Sequence, residues 1–288
     1  MLNATLVSGI VLGFTYGLLA VTLILLVRTT GVLNFAAAEL ATLFAFIAFE
    51  LHRSGLNALA TVLITLLCAA AAGPVIYAVI IRPRRTTPLF LSLRTLGLLL
   101  ILQALIEMKW GPSAPYTFPA LVSCGRFTVV GVNVTYVQLA SVIAALAIAA
   151  GVGALTRSPR AGLLLRAVSA DREAAQFLGV NVVLVDVVAW STACVVAAAG
   201  GVLYAQQTVL EPEMLAPVLL AAFAAAQIAD MRSMPVALGS GVVLGIVQST
   251  SAVYLNQPAW SQILSFVVLV GALLARRYRS RTGMAVST

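Results

Sequence analysis

An all-α, polytopic membrane protein of eight to nine transmembrane or re-entrant helices, N-terminus out and C-terminus in, is the fold class that three observations predict. The 288 residues are 61% hydrophobic and only 9% charged, where a water-soluble domain carries about a quarter of its residues as charges. The apolar runs are long enough to cross a bilayer, which takes about 20 helical residues. The basic residues fall on alternate connections between those runs, which orients the chain.

Each element follows from the same reasoning. Lipid offers no partner for an unpaired amide, so the spans are helical. Runs such as VIAALAIAAGVGAL, residues 142–155, lack the alternation of a barrel strand. Nine segments result: 5–27, 32–50, 57–81, 95–109, 136–155, 183–204, 217–230, 236–254 and 260–275. Asn34 and Glu39 interrupt the second, and the seventh is short and ends at Asp230. These two are expected to be broken or re-entrant. The start, MLNAT, has no basic run and the apolar stretch behind it is too long for a cleavable leader. Residues 1–288 read as a single membrane domain.

With the N-terminus outside and all nine segments crossing, fourteen of the seventeen basic residues lie inside. They are Arg28; Arg82, Arg84, Arg85 and Arg94; Arg157, Arg160, Arg166 and Arg172; Arg232; and Arg276, Arg277, Arg279 and Arg281. Arg53, Lys109 and Arg126 remain outside. The net charge of +8 is thus a topology signal, and no nucleic acid partner is expected. The long external loop, 110–135, is expected to be ordered by its Pro and Gly content, either to receive a partner or to cover a pore mouth.

Cytoplasmic residues 156–182 carry the most conspicuous polar stretch, with Arg160, Arg166, Asp171, Arg172 and Glu173 close together. Leu164, Ala167, Val168, Ala174, Ala175 and Leu178 recur at near-helical spacing and define one apolar face. Asp171 is placed to cap a short helix that Gly179 stops. Such a helix either rests on the lipid surface or docks into a protein.

Among polar residues within apolar segments, Glu39 is the foremost candidate for a substrate path, because a carboxyl at that depth is costly and faces a cavity or a partner. A hydrogen bond to a neighbouring helix or a favourable position at a helix start explains it equally. Asn34 either caps the same helix or lines the path. Asp230 is expected to pair with Arg232, and His52 to be solvated. Cys68 and Cys194 read as small packing residues, and Cys124 lies in a loop. The Ala- and Gly-rich helices permit close packing. No metal cluster, nucleophile triad or phosphate-binding loop is present in the sequence, so no enzymatic activity or cofactor is expected.

The stretch RAGLLLRAVSADREAAQFLGVN resembles the cytoplasmic loop of the LivH-type permeases of branched-chain amino acid ABC importers. Their pattern falls here on Gly162, Arg166, Ala167, Asp171, Ala174, Ala175, Gly179 and Asn181, with Val180 for Ile. Three further stretches are similar in the same order: YGLLAVTLILLVRTTGVLNFAAAELATL, IRPRRTTPL and SMPVALGSGVVLGIVQS. Two places depart. Ala37–Ala38 replace a His-Gly or Gln-Gly pair, and AAQIADMRS, residues 225–233, replaces a glycine-rich run.

The resemblance implies a permease subunit of the bacterial inner membrane that moves a branched-chain amino acid or similar small polar solute inward. It implies that Gly162, Arg166, Ala167, Asp171, Ala174, Ala175 and Gly179 form a coupling helix seated in an ATPase subunit. The chain lacks the G-x-x-x-x-G-K-[ST] loop, so ATP would be bound by separate ATPase subunits. A second permease of related (LivM-like) type or a homologue, an external solute-binding protein and membrane lipid complete the implied partners. The competing reading is an ion-coupled secondary transporter, a class that carries several ionisable groups at the midplane.

Overall fold

The computed structural model describes residues 2–81, 87–119, 121, 125–129, 132–254 and 263–274. Arg82, Arg84, Arg85, Cys124 and the tail arginines lie outside the described residues. Every one of the nine apolar segments falls on a helix, in the order α1 (Leu2–Thr30), α2 (Ala37–Arg53), α3 (Ala58–Ile76), α4 (Pro88–Trp110), α5 (Tyr136–Arg157), α6 (Ala161–Ala170), α7 (Arg172–Phe177), α8 (Val182–Ala205), α9 (Ala216–Ile228), α10 (Met234–Tyr254) and α11 (Ile263–Leu274). Helices α6 and α7 belong to the cytoplasmic loop of the sequence reading. Among the described residues, six helices are long and apolar enough to cross a membrane: α1, α3, α4, α5, α8 and α10. Helices α2, with 17 residues, α9, with 13, and the described part of α11 are shorter.

Local chemistry sets many boundaries. Asn57 accepts the Ala60 N–H at 2.8 Å and starts α3. Thr135 and Gln138 exchange hydrogen bonds of 3.2 and 3.1 Å at the start of α5, a reciprocal cap that satisfies two otherwise orphaned amides. Pro88 opens α4, where its missing N–H costs nothing. That start is earlier than the apolar run suggests, so Arg94 lies inside α4 and not in the preceding connection. It donates to the Ile80 carbonyl at 3.1 Å, within the π-turn Tyr77–Ile81 that follows Pro74 of α3.

Packing then ranks the helices. Helices α1 and α8 form the centre, with Leu18, Leu19, Leu23, Ile24 and Trp190 fully buried. Helices α4 and α5 expose Leu100, Ile101, Ile143 and Leu146, where a water-soluble protein would carry charge. Helices α1 and α10 cross so closely that a Cβ on Gly13 would lie 2.5 Å from the Val242 Cα, and one on Gly245 2.4 Å from the Gly13 nitrogen. With no hydrophobic drive between helices in lipid, such backbone approach supplies the dispersion contact that holds them.

At the end of α5 opposite Arg157, Arg126–Val129 (β1) pairs antiparallel with Val132–Thr135 (β2), Phe127 opposite Val134. Tyr116 and Leu210 exchange two backbone hydrogen bonds of 2.9 Å. They tie the connection after α4 to that after α8.

Candidate functional site

Helices α6 and α7 form a hydrogen-bonded knob at the arginine-rich end. Ser158 receives the Gly162 N–H on both its Oγ (3.1 Å) and its carbonyl (3.0 Å). Gly162 is buried against the last turn of α5, where a Cβ would meet the Thr156 carbonyl at 2.3 Å. Asp171 adopts extended backbone and accepts the Ala174 N–H at 3.0 Å, capping α7. Gly179 (φ +84°) ends it. The Val180 N–H reaches back to the Ala175 carbonyl and the Gly179 N–H to that of Gln176, both at 3.0 Å, the left-handed stop that glycine supplies without a Cβ clash.

The single apolar face expected over 164–178 is split in two. Leu165, Val168 and Ala175 are buried against the membrane helices, while Ala174 is exposed together with Phe177 (90%) and Leu178 (84%). Leu164 and Arg166 are exposed and Ala167 is half-buried. The reason is the extended residue Asp171 between α6 and α7. A 3.6-residue period carries no phase across a break in the helix.

Arg172, read in the sequence only as a topology marker, pins this knob. Its guanidinium forms an ion pair with Asp186 of α8 and donates to the Thr29 carbonyl of α1 at 3.1 Å. Asp186 is fully buried. An acid inside an apolar run was the signal available for Asp186, the same one that singles out Glu39. Phe177 carried no signal of its own.

Asn34 and Glu39 lie together at a break in the fold. Residues 31–34 are non-helical, and α4 pairs the backbone of Leu33 and of the following Phe35. The Leu33 N–H donates to Ser92 Oγ (3.0 Å) and the Phe35 N–H to Thr95 Oγ1 (3.1 Å), while that hydroxyl donates back to the Leu33 carbonyl (2.9 Å). Thr95 is seven residues into α4, about 10 Å along the axis, so irregular backbone enters the bundle and is paired by side chains as a membrane interior requires. Asn34 accepts the Ala36 N–H at 3.1 Å just ahead of α2. Glu39 sits in the first turn of α2, 3% exposed, with Oε2 buried and unpartnered among the described residues. Neither side chain lines the cavity of about 800 Å³ at the arginine-rich end or that of about 550 Å³ near Gln206 and Gln207.

Two smaller expectations are corrected. His52 is half-buried, its Nδ1 without a partner among the described residues, because the end of α2 is partly covered. Asp230 forms no ion pair with Arg232 among the described residues. Asp230 and Met231 take φ values of +51° and +54°, and the Arg232 carbonyl accepts from Arg28 at 3.2 Å. The 225–233 segment therefore turns in a left-handed conformation without glycine. Of the two cysteines read as packing residues, Cys194 is buried in α8, but Cys68 is exposed on α3, one of the helices with an exposed apolar face.

Residues 5–273 match the family described as the permease component of branched-chain amino acid transport systems. The high-affinity branched-chain amino acid transport system permease protein LivH of Salmonella typhimurium is 26% identical over 283 residues, covering 93% of this chain and 91% of its own length. LivH of Escherichia coli K12 shows the same identity and coverage. BraD of Pseudomonas aeruginosa, a permease protein of the same description, is 26% identical over 289 residues, covering 94% and 92%. No solved structure matches the chain. With six helices able to span a membrane and a family match over nearly its whole length, the chain is a multi-pass membrane protein that belongs to the family of permease components of branched-chain amino acid transport systems.

Proposed function

We propose that the chain is the membrane-spanning permease subunit of a bacterial inner-membrane ABC importer, bringing a branched-chain amino acid or similar small polar solute inward. Separate ATPase subunits supply the energy through α6 and α7. A second permease and an external solute-binding protein complete the assembly. Eight to nine elements enter the membrane, with α2 and α9 as short crossing helices, and the N-terminus is outside.

The observation that carries the reading is the knob. It is capped at both ends, tied by Arg172 to α1 and α8, and tipped by Phe177 and Leu178, two large apolar side chains left exposed. An isolated subunit has no reason to hold an apolar tip rigidly away from its own core. A partner groove supplies one, because burying such side chains is worth about 1.5–3 kcal/mol each.

Reconstitution into liposomes with the cognate ATPase and binding protein tests the proposal. Radiolabelled leucine is expected to accumulate only with ATP and all subunits present. Uptake that follows an imposed proton or sodium gradient, indifferent to ATP, would make the protein an ion-coupled transporter.

A further inference from the structure

Helices α1, α5 and α6 and the start of α10 enclose a cavity of about 800 Å³ at the arginine-rich end. Its walls are largely apolar: Leu25 is buried, Leu238 half-buried, and Leu146 opens onto the exposed side of α5. At its mouth stand four guanidinium groups: Arg28 from the last turn of α1, Arg157 from that of α5, Arg166 from α6, and Arg232 from the turn before α10. No carboxylate is among its lining residues, and among the described residues none of the four forms a salt bridge. Asp230 lies in a smaller recess that shares Arg28, Ser169 and Arg232, and Asp186 is held by Arg172 beside Thr29 of the lining.

We propose that this cavity is a binding site for one anionic phospholipid of the cytoplasmic leaflet. The phosphate would sit among Arg157, Arg166 and Arg232, with an acyl chain running along the exposed side of α5. Composition supports a lipid over a soluble anion. Four uncompensated cations at a helix-end boundary suit a phosphate, and basic pockets between membrane helices on the cytoplasmic side hold lipid headgroups. A soluble anion has no use for the apolar walls that continue below the arginines. Arg28 is already committed to the Arg232 carbonyl at 3.2 Å, which fixes the turn carrying Arg232. The inference stands independently of what the protein transports and rests on the proposed orientation, which puts this end of the bundle in the cytoplasm.

The test uses the full chain purified in detergent, with native mass spectrometry reading bound lipid across a titration of dioleoyl phosphatidylglycerol or dioleoyl phosphatidylcholine. One phosphatidylglycerol is expected to bind more tightly than phosphatidylcholine. The double variant Arg157→Gln/Arg232→Gln should bind it roughly thirtyfold more weakly, the worth of two basic side chains beside an anionic surface. Arg157→Lys/Arg232→Lys should keep most of the affinity, and Arg53→Gln all of it, which separates lost charge from lost folding. Equal affinity for the two lipids, or an unchanged double Gln variant, would overturn the proposal. Displacement by equimolar inorganic phosphate would reduce the site to one for a free anion. Loss of the lipid once the second permease is bound would make the cavity a protein interface instead.

Discussion

Arg172 links three helices through one guanidinium: it heads α7, pairs with the buried Asp186 of α8 and donates to the Thr29 carbonyl of α1 at 3.1 Å. A push on the knob therefore directly reaches α1 and α8, the most buried of the six helices long enough to cross a membrane. Removing the arginine leaves a charge in the interior with fewer partners, which costs about 3 kcal/mol or more. Arg172→Ala is expected to lower the unfolding temperature of the purified chain and to uncouple ATP hydrolysis from uptake in the reconstituted assembly. Arg172→Lys keeps the charge but loses the fork that serves both partners, so its effect should be intermediate. An Arg172→Ala protein as stable and as well coupled as the parent would show that the link is incidental.

Ala174 and Ala175 are adjacent, about 100° apart around the helix, yet Ala174 is exposed and Ala175 only 2% exposed. Ala174→Glu should leave abundance intact while abolishing both co-purification of the ATPase and uptake. Ala175→Glu forces a charge into the packed side, so it should reduce the folded permease itself, at a cost beyond the ~1–3 kcal/mol of overpacking. Membrane abundance and pull-down, read together, distinguish the two. Identical behaviour of the pair would contradict the split face.

Phe177→Ser gives a second measure of docking. The side chain is 90% exposed, so its loss should change stability by less than about 0.5 kcal/mol. Retention of the ATPase is expected to fall by at least tenfold, consistent with burial of one large apolar side chain in the complex. Unchanged retention would leave the lipid surface as the better partner for α7.

Glu39 has one carboxylate oxygen buried and unpartnered among the described residues. Glu39→Gln preserves shape and should reduce leucine uptake without lowering the amount of folded protein, because the carboxyl is proposed to serve the solute path or its gating. Full uptake at normal abundance would reduce Glu39 to a helix-start acid.

Orientation is open to direct chemistry. In a background with Cys68, Cys124 and Cys194 replaced by alanine, Ser113→Cys should react with an impermeant thiol reagent in intact cells. Pro159→Cys should react only after the membrane is opened. Both positions are exposed in the structure, and the reverse pattern would invert the topology.

Much of this protein is decided locally, and is therefore legible in the sequence. The nine apolar segments became helices because lipid leaves the backbone no other partner. Asp171, Gly179 and the break near Asn34 followed because caps and stops depend on neighbours two to five residues away. The glycine-poor run 225–233 was visible as an oddity, but not its outcome, that Asp230 and Met231 would themselves turn left-handed. Tertiary structure alone decided which face of each short helix meets protein. It exposed Phe177, buried Ala175, and brought Arg172 to Asp186 and Thr29, 14 and 143 residues away. It also gathered Arg28, Arg157, Arg166 and Arg232 around one cavity. Periodicity reports a helix's own geometry, and it has no information about the angle at which two helices joined by an extended residue will be set against the rest of the chain.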